Sequence, residues 1–445
     1  MKLASALALM VCAASAHGCV YDWELPSGGA GSPQIGGSGG TNGAGGGVSG
    51  GGGAEPSLLD PATLQPIAVG GTHGCATLDG THLQCWGSNL QGQLGSPSSG
   101  FLVEPERPWQ DPESQNQKVI VKIVAGDRHS CVLIETGEIY CWGDNSQGQL
   151  GLGTEVAEAT EPILVNLTPT CSPQQVLASD IAAGAEHTCA STGNQVFCWG
   201  SNEFAQVGVE GGLDDVFVPT LKSFADGAHD FALAAGSAHT CVRYAFGGPA
   251  VVCWGANDSA QLGTGEIGPP SSKAVPVAYV FQECSVIAAG LGDHTCCVDG
   301  GAVVCWGSNA QGRADFGSDA PIVDPRAVPL SFDRGTKEEP LPLLLWLGSE
   351  GTCARGQLTP EQSPSTQCWG KNVNHLMSLS ANDPLKPAGD VGWTQYEYVA
   401  FSKHACGLSV DSVECWGNND AGQVVSPGAP GEWLDQTERV FVISP

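Results

Sequence analysis

The chain has 445 residues, of which 46 are acidic and 17 are basic, and this gives a formal net charge of −29 at pH 7. A negative charge of this size repels phosphate backbones, so direct binding of nucleic acid is not expected. Nineteen cysteines are unusual for a protein of a reducing compartment. Composition therefore favours an exported protein.

The first 18 residues have the features of an export signal. Lys2 is followed by an apolar run from Leu3 to Ala14 and then by small residues. The run is shorter than the ~20 apolar residues that a membrane-spanning helix needs. Two modes of cleavage are open: Ala14-Ser15-Ala16 satisfies the Ala-x-Ala rule for release, whereas Gly18-Cys19 resembles a bacterial lipobox, in which the cysteine is acylated.

Residues 19–56 are predicted to form a flexible tether. Between Ser27 and Ala54, 15 of 28 residues are glycine and none is charged. Such a segment cannot bury enough apolar surface to fold, and its reach is roughly 30 Å. A tether favours lipidation of Cys19 over simple secretion, with the lipid as the only membrane contact. We therefore expect a location in the bacterial cell envelope, at the outer membrane or cell surface; secretion is the alternative.

Residues 57–445 consist of repeats. The tripeptide Cys-Trp-Gly occurs seven times, with its tryptophans 56, 57, 55, 52, 63 and 47 residues apart. A period of this size is typical of stacked supersecondary units. Short β-rich runs such as Lys118–Val124 are bounded by Gly, Asp and Asn, which favours strands over helices.

Seven four-stranded antiparallel units are predicted to close radially into an all-β propeller of seven blades. The carboxy-terminal run Val440–Ile443 aligns with the strand that precedes the Ala-Gly turn in other copies, such as Val119–Ile123. We therefore expect this run to pair with the first copy and to close the ring.

The second copy, from Ile123 to Gly151, shows the whole repeat: apolar-Ala-Gly-x-x-His-x-Cys, then Cys-Trp-Gly-x-Asn-x-x-Gly-Gln-Leu-Gly. This motif resembles the repeat of the regulator of chromosome condensation family, and the resemblance implies a seven-bladed propeller. It extends over all seven copies. Copy six departs from it, because Gly351 replaces the histidine and Asn372 lacks the Gln-Leu-Gly tail. WD40 repeats are disfavoured, since their period is about 40–45 residues and their signature ends in Trp-Asp.

Fourteen cysteines form one pair in each copy, and each pair flanks a hairpin turn. Facing residues of a non-hydrogen-bonded antiparallel pair have Cα atoms ~4.5 Å apart, within disulfide range, so disulfides and an oxidising compartment are predicted. Zinc is disfavoured because the histidine and cysteine of one copy, such as His73 and Cys75, lie two apart on one strand. The predicted pairs are Cys75–Cys85, Cys131–Cys141, Cys189–Cys198, Cys241–Cys253, Cys296–Cys305, Cys353–Cys368 and Cys406–Cys415; Cys284 and Cys297 are a candidate eighth pair, which leaves Cys171 over.

Six histidines recur at equivalent positions, and repetition indicates a structural duty because a catalytic residue is needed once. We expect no catalytic residue, metal or cofactor. Binding is expected where the copies differ, in loops on a rigid scaffold. The candidates are Trp109 in the insert Phe101–Gln117, Tyr244 in the hairpin Tyr244–Pro249, the segment Asp333–Leu345, Arg355 in the hairpin Arg355–Thr366, and Trp393 in Asp390–Tyr398.

The function predicted from these patterns is non-enzymatic recognition of a protein or other extracellular ligand by a monomeric propeller at the cell envelope. Two alternatives come from the family resemblance. One is a secreted inhibitor, because the family includes a bacterial propeller that inhibits β-lactamases. The other is guanine-nucleotide exchange on a small GTPase, which export and disulfides disfavour. A carbohydrate-active propeller would need converging carboxylates in its channel, and nothing in the sequence positions them.

Overall fold

The structure is a computed structural model. It describes residues 65–97, 102–103, 118–168, 176–224, 227–245, 249–279, 281, 283–315, 319–330, 344–356, 365–370, 398–402, 404–409, 412–417 and 440–443. The chain divides into two compact units, Met1–Leu58 with Thr168–Gln174, and Leu59–Leu167 with Gln175–Pro445. All the strands below belong to the second unit. The predicted signal, the tether, Cys19 and Cys171 lie outside the described residues.

The described strands form seven antiparallel sheets, each built from strands that are consecutive in the chain. The first three sheets are β1 (Ile67–Val69), β2 (His73–Thr77), β3 (Leu83–Gly87), β4 (Leu102–Val103); β5 (Ile120–Ala125), β6 (His129–Ile134), β7 (Ile139–Asp144), β8 (Glu158–Leu164); and β9 (Asp180–Ala183), β10 (His187–Ser191), β11 (Val196–Gly200), β12 (Val216–Lys222). The fourth and fifth are β13 (His229–Ala235), β14 (His239–Ala245), β15 (Pro249–Gly255), β16 (Ser271–Pro276); and β17 (Val286–Ala289), β18 (His294–Asp299), β19 (Ala302–Gly307), β20 (Ile322–Ala327). The sixth and seventh are β21 (Leu344–Leu347), β22 (Gly351–Gly356), β23 (Ser365–Gly370); and β24 (Tyr398–Phe401), β25 (His404–Leu408), β26 (Val413–Gly417), β27 (Val440–Ile443).

The sheets are arranged as a propeller. The first strands of neighbouring sheets contact one another in the order β1, β5, β9, β13, β17, β21 and β24, and β24 contacts β1. The prediction of an all-β propeller of four-stranded antiparallel blades is therefore confirmed. The number of four-stranded blades differs from the prediction: six are described rather than seven. The sixth sheet has three described strands, because residues 371–397, where a fourth would follow, lie outside the described part of the chain.

The prediction for the carboxy-terminal strand is wrong. β27 pairs with β26, with Val413 opposite Ile443 and Cys415 opposite Val440, and so belongs to its own hairpin rather than to the first copy. The physical reason is local: each four-stranded blade takes its outer strand from the chain that follows its hairpin. The seventh and first sheets meet instead by packing, in a buried cluster that includes Trp86 and Leu408.

The glycine of each Cys-Trp-Gly allows the third strand to bend out of its hairpin. Gly143 has φ +107°, and a Cβ atom there would lie 2.5 Å from the carbonyl oxygen of Arg128. Only glycine fits such a left-handed, close-packed position. The pairing of β7 with β8 shifts register between Cys141 and Gly143. The bend directs the chain into the Asn-x-x-Gly-Gln loop.

Disulfide bonds are present in the structure, as the sequence predicts. Cys131 and Cys141 face each other directly across β6 and β7, with their Cα atoms 4.1 Å apart. The bonded pairs are Cys75–Cys85, Cys131–Cys141, Cys189–Cys198, Cys241–Cys253, Cys284–Cys297, Cys296–Cys305, Cys353–Cys368 and Cys406–Cys415. All sixteen sulfurs belong to buried residues, so the disulfides form part of the core between sheets.

Candidate functional site

The recurring histidines bond neighbouring sheets. In five successive junctions the Nε2 atom of a histidine lies within hydrogen-bond distance of a hydroxyl on the next sheet. The pairs are His73–Ser130 (2.7 Å), His129–Thr188 (3.0 Å), His187–Thr240 (2.9 Å), His239–Thr295 (2.8 Å) and His294–Thr352 (2.7 Å). All ten side chains are buried.

The hydroxyl's other bond fixes the histidine tautomer. Thr188 Oγ1 donates to the backbone oxygen of Gln149 (2.9 Å), and Trp199 Nε1 donates to the same oxygen (2.9 Å). A hydroxyl has one proton, so Thr188 must accept from His129, whose Nε2 atom carries the hydrogen. The histidine, the hydroxyl, the tryptophan and the glutamine of the repeat are thus joined in one bond system between two sheets.

Burial keeps these histidines neutral. It lowers the pKa of His129 and His187 to about 3 and the pKa of His73 and His239 to about 4. A general acid or base near neutral pH needs a pKa close to 7 and access to substrate. These side chains have neither, which supports their interpretation as structural residues.

The candidate binding residues lie apart from one another. Tyr244 is on β14 in the fourth sheet, and Arg355 is on β22 in the sixth sheet. Arg355 is half-buried within a strand, opposite Leu344 and Thr366, rather than in a loop. Trp109 and Trp393 lie outside the described residues, as do most of the inserts that contain them.

A lysine that sequence reasoning missed departs from the repeat. Where the chain leaves the outer strand, three sheets place a buried valine whose N–H donates to the third strand of the same hairpin: Val165, Val277 and Val328. In the third sheet the equivalent residue, opposite Val196, is Lys222, which is only 9 % exposed. The motif that revealed the repeats ends before the outer strand, so alignment on Cys-Trp-Gly did not detect this difference.

Lys222 lies between the third and fourth sheets. Its Nζ atom donates to the backbone oxygens of Gly208 (2.8 Å) and Ser272 (2.6 Å), and it lies 5.5 Å from the centre of the Trp254 ring. Burial lowers its pKa, and the carboxylate of Glu210 partly opposes this effect. Lys222 therefore places its own ammonium group at a position that a valine occupies in the second, fourth and fifth sheets.

A cavity of about 340 Å³ opens beside this lysine. Glu210, Lys222 and Phe224 line it from the third sheet and its loops, and Tyr244 and Lys273 line it from the fourth. The Phe224 and Tyr244 rings are 5.7 Å apart in an edge-on arrangement. The predicted binding residue Tyr244 thus belongs to a cavity with an aromatic wall and two ammonium groups.

A second departure from the repeat has a structural explanation. Arg313 occupies the glutamine position in the fifth sheet, and its backbone oxygen still accepts from Thr352 Oγ1 (2.7 Å). Its Nη1 atom donates to the backbone oxygen of Ser349 (2.9 Å).

Among the described residues, no group of three His, Cys, Asp or Glu side chains is arranged to hold a metal ion. No helix within the described ranges is long and apolar enough to cross a membrane.

Comparison with protein families identifies the repeat. The model described as "Regulator of chromosome condensation (RCC1) repeat" matches residues 83–133, 136–191 and 194–243, and a second model of that description matches 120–149 and 178–206. Residues 83–243 are therefore similar to RCC1 repeats. The matches begin at β3 and end within β14, so they include both members of two of the five histidine–hydroxyl pairs, His129–Thr188 and His187–Thr240.

Curated relatives are similar to this chain over very different shares of their length. The ultraviolet-B receptor UVR8 of Arabidopsis thaliana is 25% identical over 401 residues, which cover 87% of this chain and 79% of the receptor. The human E3 ubiquitin-protein ligase HERC2 is 28% identical over 262 residues, 58% of this chain but 5% of the ligase. The bovine secretion-regulating guanine nucleotide exchange factor is 34% identical over 163 residues, 34% of each chain. The similarity to the last two is thus confined to a minor part of their length.

Solved structures share the fold. Human WBSCR16 superposes with a TM-score of 0.61 at 19% identity, over 76% of this chain and 83% of that one. Yeast RCC1 (Prp20), in its complex with Kap60, also gives 0.61, at 17% identity, over 82% and 84%. At these identities the similarity establishes the RCC1-like propeller fold.

Proposed function

We propose that this protein is an exported, non-enzymatic recognition propeller that binds a protein partner through the loops in which its RCC1 repeats differ. The observation that carries the proposal is the use of the repeated polar side chains. The His129 and Thr188 side chains and the backbone oxygen of Gln149 are consumed in bonding one sheet to the next, so the repeats form a scaffold and leave the variable inserts for contact. The yeast propeller Prp20 has protein partners of its own: it was solved bound to Kap60, and binding to Gsp1p and histones is described for it.

Export is supported by the disulfides, because such bonds persist in oxidising compartments. Within this proposal, residues 1–18 are a bacterial lipoprotein signal and residues 19–56 are a tether. Residues 57–445 are a propeller of seven blades, in which the sixth sheet counts as a blade alongside the six four-stranded ones. Acylated Cys19 would hold the propeller at the outer membrane or cell surface. Changing Cys19 to Ser should move the protein from the detergent phase to the aqueous phase, and Cys12→Ser, a cysteine change outside the lipobox, should not. Equal partitioning of the two variants would exclude the anchor.

Site-specific crosslinking tests the recognition surface. A photoreactive residue placed at position 109 or 393 should capture the partner in intact envelopes. The matched control is position 218, where an exposed valine lies on the outer strand β12. The proposal requires one shared crosslinked species from the inserts and none from the control. Equal capture at all three positions, or capture only at 218, would contradict it.

A second candidate function is guanine-nucleotide exchange. The name of the bovine relative, 34% identical over 163 residues, favours it. Buried disulfides in the repeats oppose it, because small GTPases work in reducing compartments. Release of labelled GDP from small GTPases, measured with and without the propeller, separates the two functions. A secreted inhibitor remains the alternative within the binding class, and identification of the crosslinked partner decides between inhibitor and receptor.

A further inference from the structure

We propose that the cavity between the third and fourth sheets binds a small carboxylate that carries an apolar group, with Lys222 as the residue that holds the carboxylate. This site lies at the edge of two sheets and, apart from Tyr244, uses none of the predicted binding segments, so it stands apart from the loop-binding function proposed above.

The repeats themselves show that the fold does not need a lysine here. Val165, Val277 and Val328 fill the same position in the second, fourth and fifth sheets, and all three are buried. Burying an ammonium group is costly unless it is paired or hydrogen-bonded. The bonds to Gly208 and Ser272 make the burial of Lys222 tolerable, but three sister blades are assembled without them. A requirement other than packing therefore accounts for the lysine.

The donors in the cavity suit a single negative charge. An ammonium group has three N–H donors, and carbonyl oxygens take two of those on Lys222, which leaves one. Lys273 is exposed at the same cavity, and its ammonium has no hydrogen bond or ion pair with a described residue. Glu210 supplies the opposing charge. Two cations and one carboxylate leave a net positive charge in a chain whose total is −29. A monoanion is therefore attracted and neutralises the cavity, whereas a dianion such as phosphate would leave it with a net negative charge.

The side chains that line the cavity indicate which group the carboxylate ligand carries. The Phe224 ring and Val252 form an apolar side, and Tyr244 adds a second ring whose hydroxyl has no hydrogen bond to a described residue. The volume, about 340 Å³, is at the lower end of the range for small-molecule sites. A single aromatic or branched aliphatic acid fits this combination. The same chemistry occurs in two sources, a free acid and the carboxy-terminal residue of a peptide.

Calorimetric titration of the full-length protein tests the site. The probes are N-acetyl-L-phenylalanine, its uncharged amide, inorganic phosphate, and a pentapeptide that ends in phenylalanine with a free carboxylate. We expect the acid to bind at least about tenfold more tightly than the amide or phosphate. Tighter binding of the peptide than of the acetylated residue would identify a chain terminus as the source, and equal affinity would identify a free acid.

Lys222→Val is the decisive variant, because it installs the residue that the sister blades use and is therefore expected to fold. It should weaken binding of the acid at least about tenfold. Lys122→Met is the matched control: Lys122 also joins neighbouring sheets, through Asp180 at 2.7 Å, but lies outside the cavity. Affinity should stay within about twofold in this control. If Lys222→Val does not fold, Lys273→Met and Tyr244→Phe carry the same expectation.

Three results would overturn the proposal: unchanged affinity in Lys222→Val, equal affinity for acid and amide, or no binding of the acid at about 5 mM. In those cases Lys222 serves only to hydrogen-bond the third sheet to the fourth. The outcome does not depend on the proposed function, because replacement of the Phe101–Gln117 insert should leave binding of the acid unchanged while it abolishes partner crosslinking.

Discussion

His129 Nε2 lies 3.0 Å from Thr188 Oγ1, and this bond joins the second sheet to the third where both side chains are fully buried. Because the Thr188 hydroxyl donates its own hydrogen to the backbone oxygen of Gln149, the bond has a defined direction from histidine to hydroxyl. Four other junctions repeat it. The stability of the propeller should therefore depend on these bonds in a way that can be measured one junction at a time.

Thr188→Val should destabilise the protein by about 2 kcal/mol, since it preserves shape but leaves buried polar groups on His129 and Gln149 without their hydroxyl partner. Urea denaturation measures the change. Thr220→Val is the control, because the Thr220 hydroxyl is on the outer strand of the same sheet and bonds only to the backbone of Val218 in an exposed position. Equal effects of the two substitutions would contradict a special role for the junction.

The junctions on either side of the seventh sheet lack this bond. Gly351 replaces the histidine of the sixth sheet, and Ala405 replaces the hydroxyl that would face it. In the seventh sheet His404 is present, but the equivalent hydroxyl position in the first sheet is Gly74. Both ring nitrogens of His404 are buried without a hydrogen-bond partner among the described residues. A buried unpaired polar group costs stability.

We therefore expect His404→Met to be neutral or stabilising, whereas His187→Met should cost about 1–3 kcal/mol because it removes a satisfied bond to Thr240. Hydrogen exchange should also show that amides of the seventh sheet open first. If His404→Met and His187→Met lower the free energy of unfolding equally, the junctions of the seventh sheet are not weaker than the others.

Acid should destabilise the protein through its buried histidines. An unfolded histidine has a pKa near 6.5, whereas burial holds the pKa of His129, His187 and His404 at about 3. The unfolded state thus binds more protons than the folded state between these values, so stability is fully present above pH 6.5 and is lost as pH falls toward 3. The slope is up to about 1.4 kcal/mol per pH unit for each histidine.

Urea titrations between pH 7 and pH 5 measure this slope before ordinary carboxylates become protonated. Replacing His187 by Met should reduce the slope by one histidine's share. A free energy of unfolding that stays constant from pH 7 to pH 5 would show that the histidines are not neutral and buried as described.

Removal of one hairpin disulfide should cost about 3 kcal/mol in the chain-entropy model, because a bond between Cys189 and Cys198 closes a loop of about ten residues in the unfolded chain. The paired change of both cysteines to Ala, compared with wild type by thermal melting, gives the value. Mass spectrometry of a non-reduced digest checks the pairing. Free thiols at these positions would overturn both the pairing and the inference of an oxidising compartment.

The sequence was sufficient to predict the blades because disulfide, tryptophan and glycine recur at a constant period. It misplaced Val440–Ile443, since a short apolar run has the same composition whether it forms the first or the last strand of a blade, and only packing distinguishes the two. Lys222 could not be recognised before the outer strands were aligned by their hydrogen bonds to the hairpins. Tyr244 was predicted as a loop contact but lies on a strand in an aromatic cluster.

In this protein the repeated residues hold the scaffold together, and the non-repeated inserts contact the partner. Two variants measured side by side, for melting temperature and for partner crosslinking in the folded fraction, test this most directly. His187→Met should lower the melting temperature and leave crosslinking intact, whereas replacement of Phe101–Gln117 by a short turn should do the reverse. A short-turn variant that still captures its partner at full yield, or a folded His187→Met variant that has lost capture, would contradict the account.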